Sequence, residues 1–275
     1  MEGFTFFKNS GKSGPGISKN QKKTNGFSKF FEIYFRKFWK LLELNLLYFI
    51  CCIPVVTFGP ATAAFTKVMK NYSQQRNVFL LSDFFEAFKK NFKQSIIIGL
   101  VDVMLIISFI VSIPYYSDMA QKSGYFILVL AISVCTLLML IMMHFYIYIM
   151  IVSTTLKLSQ IIKNSLILAI SELEKNAITL FMTLLIIAPF VLFFPYSISF
   201  IPFLPLSILG LAVCINTYPI VRKQVIQPFY DKKGQLNPEF QYDYPDENSS
   251  TIFTDNGGNE LPVDLGLSSK GKTIR

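Results

Sequence analysis

Residues 95–114 read SIIIGLVDVMLIISFIVSIP and residues 124–150 read GYFILVLAISVCTLLMLIMMHFYIYIM, two apolar runs broken only by Asp102 in the first and His144 in the second. An α-helix needs about 20 residues, at about 1.5 Å each, to cross the ~30 Å hydrocarbon core of a bilayer. Both runs satisfy that length. In an aqueous protein neither could find enough polar surface to stay soluble, so this pair decides the fold class.

The rest of the chain agrees. Of 275 residues, 52% are hydrophobic and only 16% charged, against about 25% charged in an ordinary soluble domain. From Ser95 to Tyr218 the charged residues are Asp102, Asp118, Lys122, Lys157, Lys163, Glu172, Glu174 and Lys175. The expected fold is all-α: a polytopic transmembrane helix bundle of about five full spans plus one half-span or re-entrant helix, with amphipathic interfacial helices. The expected spans are 38–57, 95–114, 124–150, 177–195 and 198–218, with the half-span at 60–72 and a short loop at 115–124. The membrane domain covers 27–225. It is flanked by a flexible basic tail over 1–26 and a polar, disordered tail over 226–275.

Two stretches read as interfacial helices. Residues 27–40, FSKFFEIYFRKFWK, alternate rings with cations, and residues 78–94 place Phe84, Phe85, Phe88 and Phe92 at helical spacing. Rings at headgroup depth and cations toward water make Arg36, Lys37, Trp39, Lys89, Lys90 and Lys93 the candidate anchors. Between them, Pro54 and Phe58-Gly59-Pro60 interrupt the first apolar run. Pro189 is expected to kink the span over 177–195.

Lysine and arginine set the orientation. Segment 1–37 holds eight, 67–94 six, and the 115–124 loop one. The positive-inside rule then puts the first two segments on the cytoplasmic side, so Leu41–Tyr72 must enter and return. Both termini are expected in the cytoplasm. Each basic amphipathic stretch meets an asparagine near its apolar run, Asn45, Asn91 or Asn176, a faint trace of internal repetition.

Several functions are excluded or disfavoured. The net charge of +9 is the loop charge of a membrane protein, and no nucleic-acid motif accompanies it. Gly11-Lys12-Ser13 has Phe6 where a P-loop needs glycine. Cys51, Cys52, Cys135 and Cys214 sit in apolar segments without metal-ligand spacing. No catalytic residue, metal site or cofactor is expected, and the residues ISELEKNAITLF lack the Glu-Ala-Ala pattern of an ATPase-docking permease loop.

The segments Leu44-Asn45-Leu46-Leu47, Pro54-Val55-Val56-Thr57, Gly59-Pro60-Ala61-Thr62-Ala63-Ala64 and Phe84-Phe85 through Asn91-Phe92-Lys93-Gln94 resemble the YesL-like family of bacterial membrane proteins, catalogued as domain of unknown function 624. The resemblance covers roughly residues 27–225. It implies a multi-pass α-helical protein of the bacterial inner membrane. It also implies gene neighbourhoods rich in carbohydrate-uptake and sensor genes, which is association and not mechanism. It supplies no catalytic residues.

Ionisable groups inside a bilayer are costly and are functional candidates by default. Asp102 lies seven residues into its span, roughly 10 Å deep, and His144 six residues before the end of the next, roughly 9 Å from the same face. The two are expected to meet, as a structural polar clamp or as a proton-linked site. Asn45, Pro54, Gly59 and Pro60 form the candidate helix-break and packing motif. The expected function is a non-enzymatic accessory or regulatory partner of a solute-uptake or sensing system, embedded in the lipid bilayer and docking transporter or sensor subunits through 27–40 and 78–94. The alternative is a small stand-alone transporter with Asp102 and the broken 54–60 segment lining its path.

Overall fold

The computed structural model describes residues 26–197 and 205–233; the expected basic tail and most of the expected polar tail lie outside them. Among the described residues the protein is helical, with no strand. In chain order the helices are α1 (Gly26–Arg36), α2 (Phe38–Cys52), α3 (Phe58–Ser73), α4 (Leu80–Lys122), α5 (Tyr125–Ser153), α6 (Leu158–Ser171), α7 (Leu173–Leu192), α8 (Pro205–Val221) and α9 (Gln227–Lys233). Contacts divide the chain into two units, Met1–Ile226 and Gln227–Arg275. In the second, α9 carries a local Gln227–Asp231 hydrogen bond of 2.8 Å. Everything that follows concerns the first.

Four of the described helices are long and apolar enough to cross a membrane: α4, α5, α7 and the one that begins at Pro205. The span expected over 38–57 is shorter than that. Helix α2 has 15 residues and stops at Cys52, which reaches about 22 Å. Pro54 has no N–H to continue the ladder, and a 3-10 turn follows over Val55–Thr57. The Thr57 hydroxyl lies 2.6 Å from the Cys51 carbonyl and 2.7 Å from that of Pro54, so it covers carbonyls the helix leaves open.

Helix α3 covers the 60–72 stretch expected as the half-span, and it is the most enclosed element. Ala61, Ala63, Ala64, Val68, Met69 and Tyr72 are inaccessible to solvent, and α3 packs on α2, α4, α5 and α8. Its small residues permit that density. A Cβ on Gly59 would sit 1.9 Å from the Ser95 carbonyl oxygen, and one on Gly99 would sit 2.5 Å from the Gly59 Cα. The α3 and α4 backbones therefore touch at a glycine-on-glycine crossing.

Two expected boundaries do not occur. The 78–94 stretch is not a separate surface helix, and residues 115–122 are not loop; both belong to α4, 43 residues long. At about 1.5 Å per residue α4 extends about 64 Å, twice the thickness of a hydrocarbon core. No helix-breaking residue separates Gln94 from Ser95, and Leu80, Phe84, Ala87, Ser95, Ile98 and Asp102 form one buried stripe through the junction. Pro114 is tolerated inside the helix, as prolines commonly are in spanning helices. The chain reverses only at Ser123-Gly124.

The α4–α5 hairpin has two parts. Buried residues of α4 end at Asp102, and those of α5 begin at Met143. Beyond that level both helices turn apolar side chains outward, including Ile107, Ile110, Val111, Leu128 and Ile132. Lipid, not protein, is the solvent for those faces.

The connector after residue 153 forms α6, which buries Ile161, Ser165, Leu168 and Ala169 on one stripe. Asn176, in the first turn of α7, closes it. Its Nδ2 donates to the carbonyls of Leu168 (3.1 Å) and Ala169 (3.0 Å), and its Oδ1 accepts from the Tyr146 hydroxyl at 2.5 Å. Asn45 likewise ties helices together, donating to Ser207 Oγ at 2.9 Å. Asn91 bonds within its own helix, to the Ala87 carbonyl, so the three asparagines are not structural equivalents. Asn176→Leu strands the Tyr146 donor and a helix-end carbonyl. We expect a loss of about 2 kcal/mol in detergent unfolding, against about 1 for Tyr146→Phe. Equal losses would show that Asn176 does not cap α6.

Pro189 lies inside α7, which continues to Leu192. The span expected over 198–218 is described only from Pro205 onward, as α8. A π-helical turn at Arg222–Ile226 follows.

Candidate intramembrane site

The apolar register of the α4–α5 hairpin brings Asp102 and His144 together. Counted outward from the turn at Ser123-Gly124, the two lie almost equally far along antiparallel helices. His144 Nε2 is 2.5 Å from Asp102 Oδ1. The second carboxylate oxygen accepts a 2.7 Å bond from the Tyr148 hydroxyl. Tyr148 is one turn from His144 on the same face of α5, a spacing visible in the sequence and not used there.

The hydrogen-bond pattern assigns the proton. His144 Nδ1 is 2.8 Å from the Leu140 carbonyl, which can only accept, so Nδ1 carries hydrogen. Nε2 then faces a carboxyl oxygen at hydrogen-bond distance, and a proton must lie between them. The pair is either carboxylic acid with neutral imidazole or carboxylate with imidazolium. Both forms are net neutral, which is the condition for holding them in a low-dielectric interior. Asp102 is buried, with 6% of its surface accessible.

The pair lines a cavity of about 420 Å³ bounded by residues of α2, α3, α4, α5 and α8. Phe58, Phe65, Leu105, Phe109, Leu137 and Val213 represent its apolar wall. A smaller cavity of about 340 Å³ lies between α1, α7 and α8, lined by the rings of Phe30, Phe31 and Tyr34. In the larger one, Tyr48 and Thr62 share a 3.0 Å hydrogen bond across the α2–α3 hairpin.

The helix-break residues do not build this wall as a group. Phe58 lines the cavity; Pro54, Gly59 and Pro60 do not. Pro54 ends α2, Gly59 makes the close approach to α4, and Pro60 is buried in the first turn of α3, where its missing N–H costs nothing. Asn45 is buried at the α2–α8 contact.

The basic and aromatic anchors divide. Trp39 is 78% exposed and Arg36 pairs with Glu32 at 3.1 Å. Lys89, Lys90 and Lys93 are exposed on α4. Lys37 is half-buried instead. It donates to the Arg76 carbonyl at 3.2 Å and lies 4.3 Å above the Tyr72 ring. Burial, then the charges of Arg36 and Lys40, hold its ammonium below the usual lysine range.

Lys70 departs furthest from the sequence reading, which counted it with the loop cations. It is 1% exposed, donates to Ser153 Oγ at 3.1 Å and lies 5.0 Å from the Tyr218 ring centre. Position 70 falls on the buried face of α3, and only the helix's place at the centre of the bundle reveals it.

Residues 41–113 match the family described as Protein of unknown function, DUF624. The matched segment runs from α2 to Ile113 of α4, narrower than the 27–225 of the sequence resemblance. It contains the Gly59–Gly99 crossing and Asp102, whereas His144 and Tyr148 lie beyond it. Searches of curated proteins and of solved structures gave no match. The four long apolar helices and a segment similar to that family together make this a membrane protein.

Proposed function

We propose that the protein is a non-enzymatic accessory or regulatory partner of a solute-uptake or sensing system in the bacterial cell membrane, with both termini cytoplasmic. The observation that carries this reading is the exposed cationic face of α4 at Lys89, Lys90 and Lys93, beside Phe85, which is 42% exposed. A cationic surface with an exposed ring complements an acidic, partly apolar partner surface. Carbohydrate is the solute class suggested by the family resemblance. The test is affinity purification after crosslinking in native membranes. Transporter or sensor subunits in stoichiometric yield support the reading; recovery of the protein alone refutes it.

A second reading is a small stand-alone transporter. It is favoured by one observation: the proton-sharing Asp102–His144 pair lines a cavity. Asp102→Asn in reconstituted vesicles decides it, because asparagine can keep both hydrogen bonds while losing the exchangeable acid. Loss of uptake by a folded Asp102→Asn protein supports transport; no uptake by the wild type excludes it.

A further inference from the structure

The lining of the larger cavity matches hydrocarbon better than it matches a hydrophilic solute. Its wall carries polar side chains, and apart from the Cys214 thiol, a weak donor, each has a hydrogen-bond partner. Asp102 accepts from Tyr148 and shares a proton with His144, whose other nitrogen is held by the Leu140 carbonyl. Tyr48 and Thr62 bond each other, Thr62 also reaches the Phe58 carbonyl at 2.8 Å, and Thr66 reaches the Thr62 carbonyl at 2.8 Å. Among the described residues, none of the buried polar side-chain atoms that lack a hydrogen-bond partner lies on this wall. A sugar or ion entering it would leave water for a wall that is mostly apolar and whose polar nitrogens and oxygens already have partners.

The remaining lining is aliphatic and aromatic. It extends from Asp102 to Phe109 along α4, about 10 Å at 1.5 Å per residue. A void of about 420 Å³ left empty would forfeit the contacts of every side chain around it. The medium around these helices is itself hydrocarbon, at high concentration and with no water to shed. We propose that the cavity binds one hydrocarbon chain of a membrane lipid, either acyl or isoprenoid, with the Asp102–His144–Tyr148 cluster closing its polar end. This goes beyond the accessory reading and is independent of it, because a lipid chain can be held whether or not a partner docks on α4.

The test uses the full-length protein in phosphatidylethanolamine–phosphatidylglycerol vesicles. Two photoreactive probes are used in turn: phosphatidylglycerol with a diazirine in one acyl chain, and a polyprenyl phosphate with a diazirine in its tail. Expected is residue-resolved labelling of Leu137 and Val213 on the cavity wall by one probe or both, and the effective probe names the source. Filling the cavity with Leu209→Trp or Val213→Phe should remove most of the label from Leu137, while the outward-facing Leu184 and Leu185 of α7 stay labelled. That retained label shows the variants insert. If neither variant inserts, labelling of the wild-type wall decides alone. No label on Leu137 and Val213 from either probe, or wall labelling that survives filling, overturns the proposal.

Discussion

Replacing Asp102 with alanine is expected to lower unfolding stability in mixed micelles by about 2–3 kcal/mol. The figure lies between two limits. Breaking a buried ion pair in a water-soluble protein costs about 3–5 kcal/mol, whereas single side-chain hydrogen bonds in a membrane protein measure at most about 1.7. Asp102 holds two partners, His144 and Tyr148, and its removal strands both where water is scarce. His144→Ala should cost less, about 1 kcal/mol, because it removes one of the two hydrogen bonds of Asp102 and leaves the Tyr148 bond in place. Asp102→Asn should also stay within about 1 kcal/mol. Its amide oxygen accepts from Tyr148, and its NH₂ donates to the bare Nε2 of a neutral His144. The predicted order is therefore Asp102→Ala well below Asp102→Asn and His144→Ala. If Asp102→Ala and Asp102→Asn unfold alike, the shared-proton geometry is wrong.

The second large effect belongs to the α3–α4 crossing. Gly59→Ala places a methyl 1.9 Å from the Ser95 carbonyl oxygen, and Gly99→Ala places one 2.5 Å from the Gly59 Cα. Both clashes are with backbone, so no rotamer relieves them and the helices must separate. A loss of about 3 kcal/mol is expected for each, the upper end of overpacking costs. Two other glycines serve as controls. At Gly210 the added carbon meets Phe65 Cε1 at 2.5 Å, and at Gly124 it meets nothing within 4 Å. Gly210→Ala should fall between the extremes as Phe65 moves aside, and Gly124→Ala should lie within about 0.5 kcal/mol of wild type. A neutral Gly59→Ala would show that α3 does not touch α4 as described.

These residues also show how far sequence alone carries. Helices α4 and α5 are legible because hydrocarbon demands long uninterrupted runs, and no soluble alternative competes. The meeting of Asp102 with His144 follows from counting residues back from one turn. Boundaries were harder. Tyr115 to Lys122 is polar enough to suggest a loop, yet contains nothing that stops a helix once Pro114 is accommodated. Gln94-Ser95 marks a change of composition without a change of backbone. Helix α2 has the apolar character of a span, but Pro54 shortens it below the bilayer's thickness. Lys70 was invisible in a different way: its burial depends on four other helices surrounding α3, and no periodicity within sixteen residues encodes that. Asn176 stands out in the sequence by its position alone, whereas its cap on the α6 carbonyls and its bond from Tyr146, thirty residues earlier, are tertiary.

In the proposed function, this membrane protein works through a partner held at the cationic face of α4. The most direct measurement is crosslinked purification from native membranes, wild type beside a Lys89→Glu, Lys90→Glu, Lys93→Glu triple variant, with mass-spectrometric quantification. These three side chains are solvent-exposed, so the variant should fold and insert normally. The account predicts a transporter or sensor subunit in stoichiometric yield with the wild type and its loss from the triple variant. Recovery of the protein alone from wild-type membranes, or an identical partner yield from both, would contradict it.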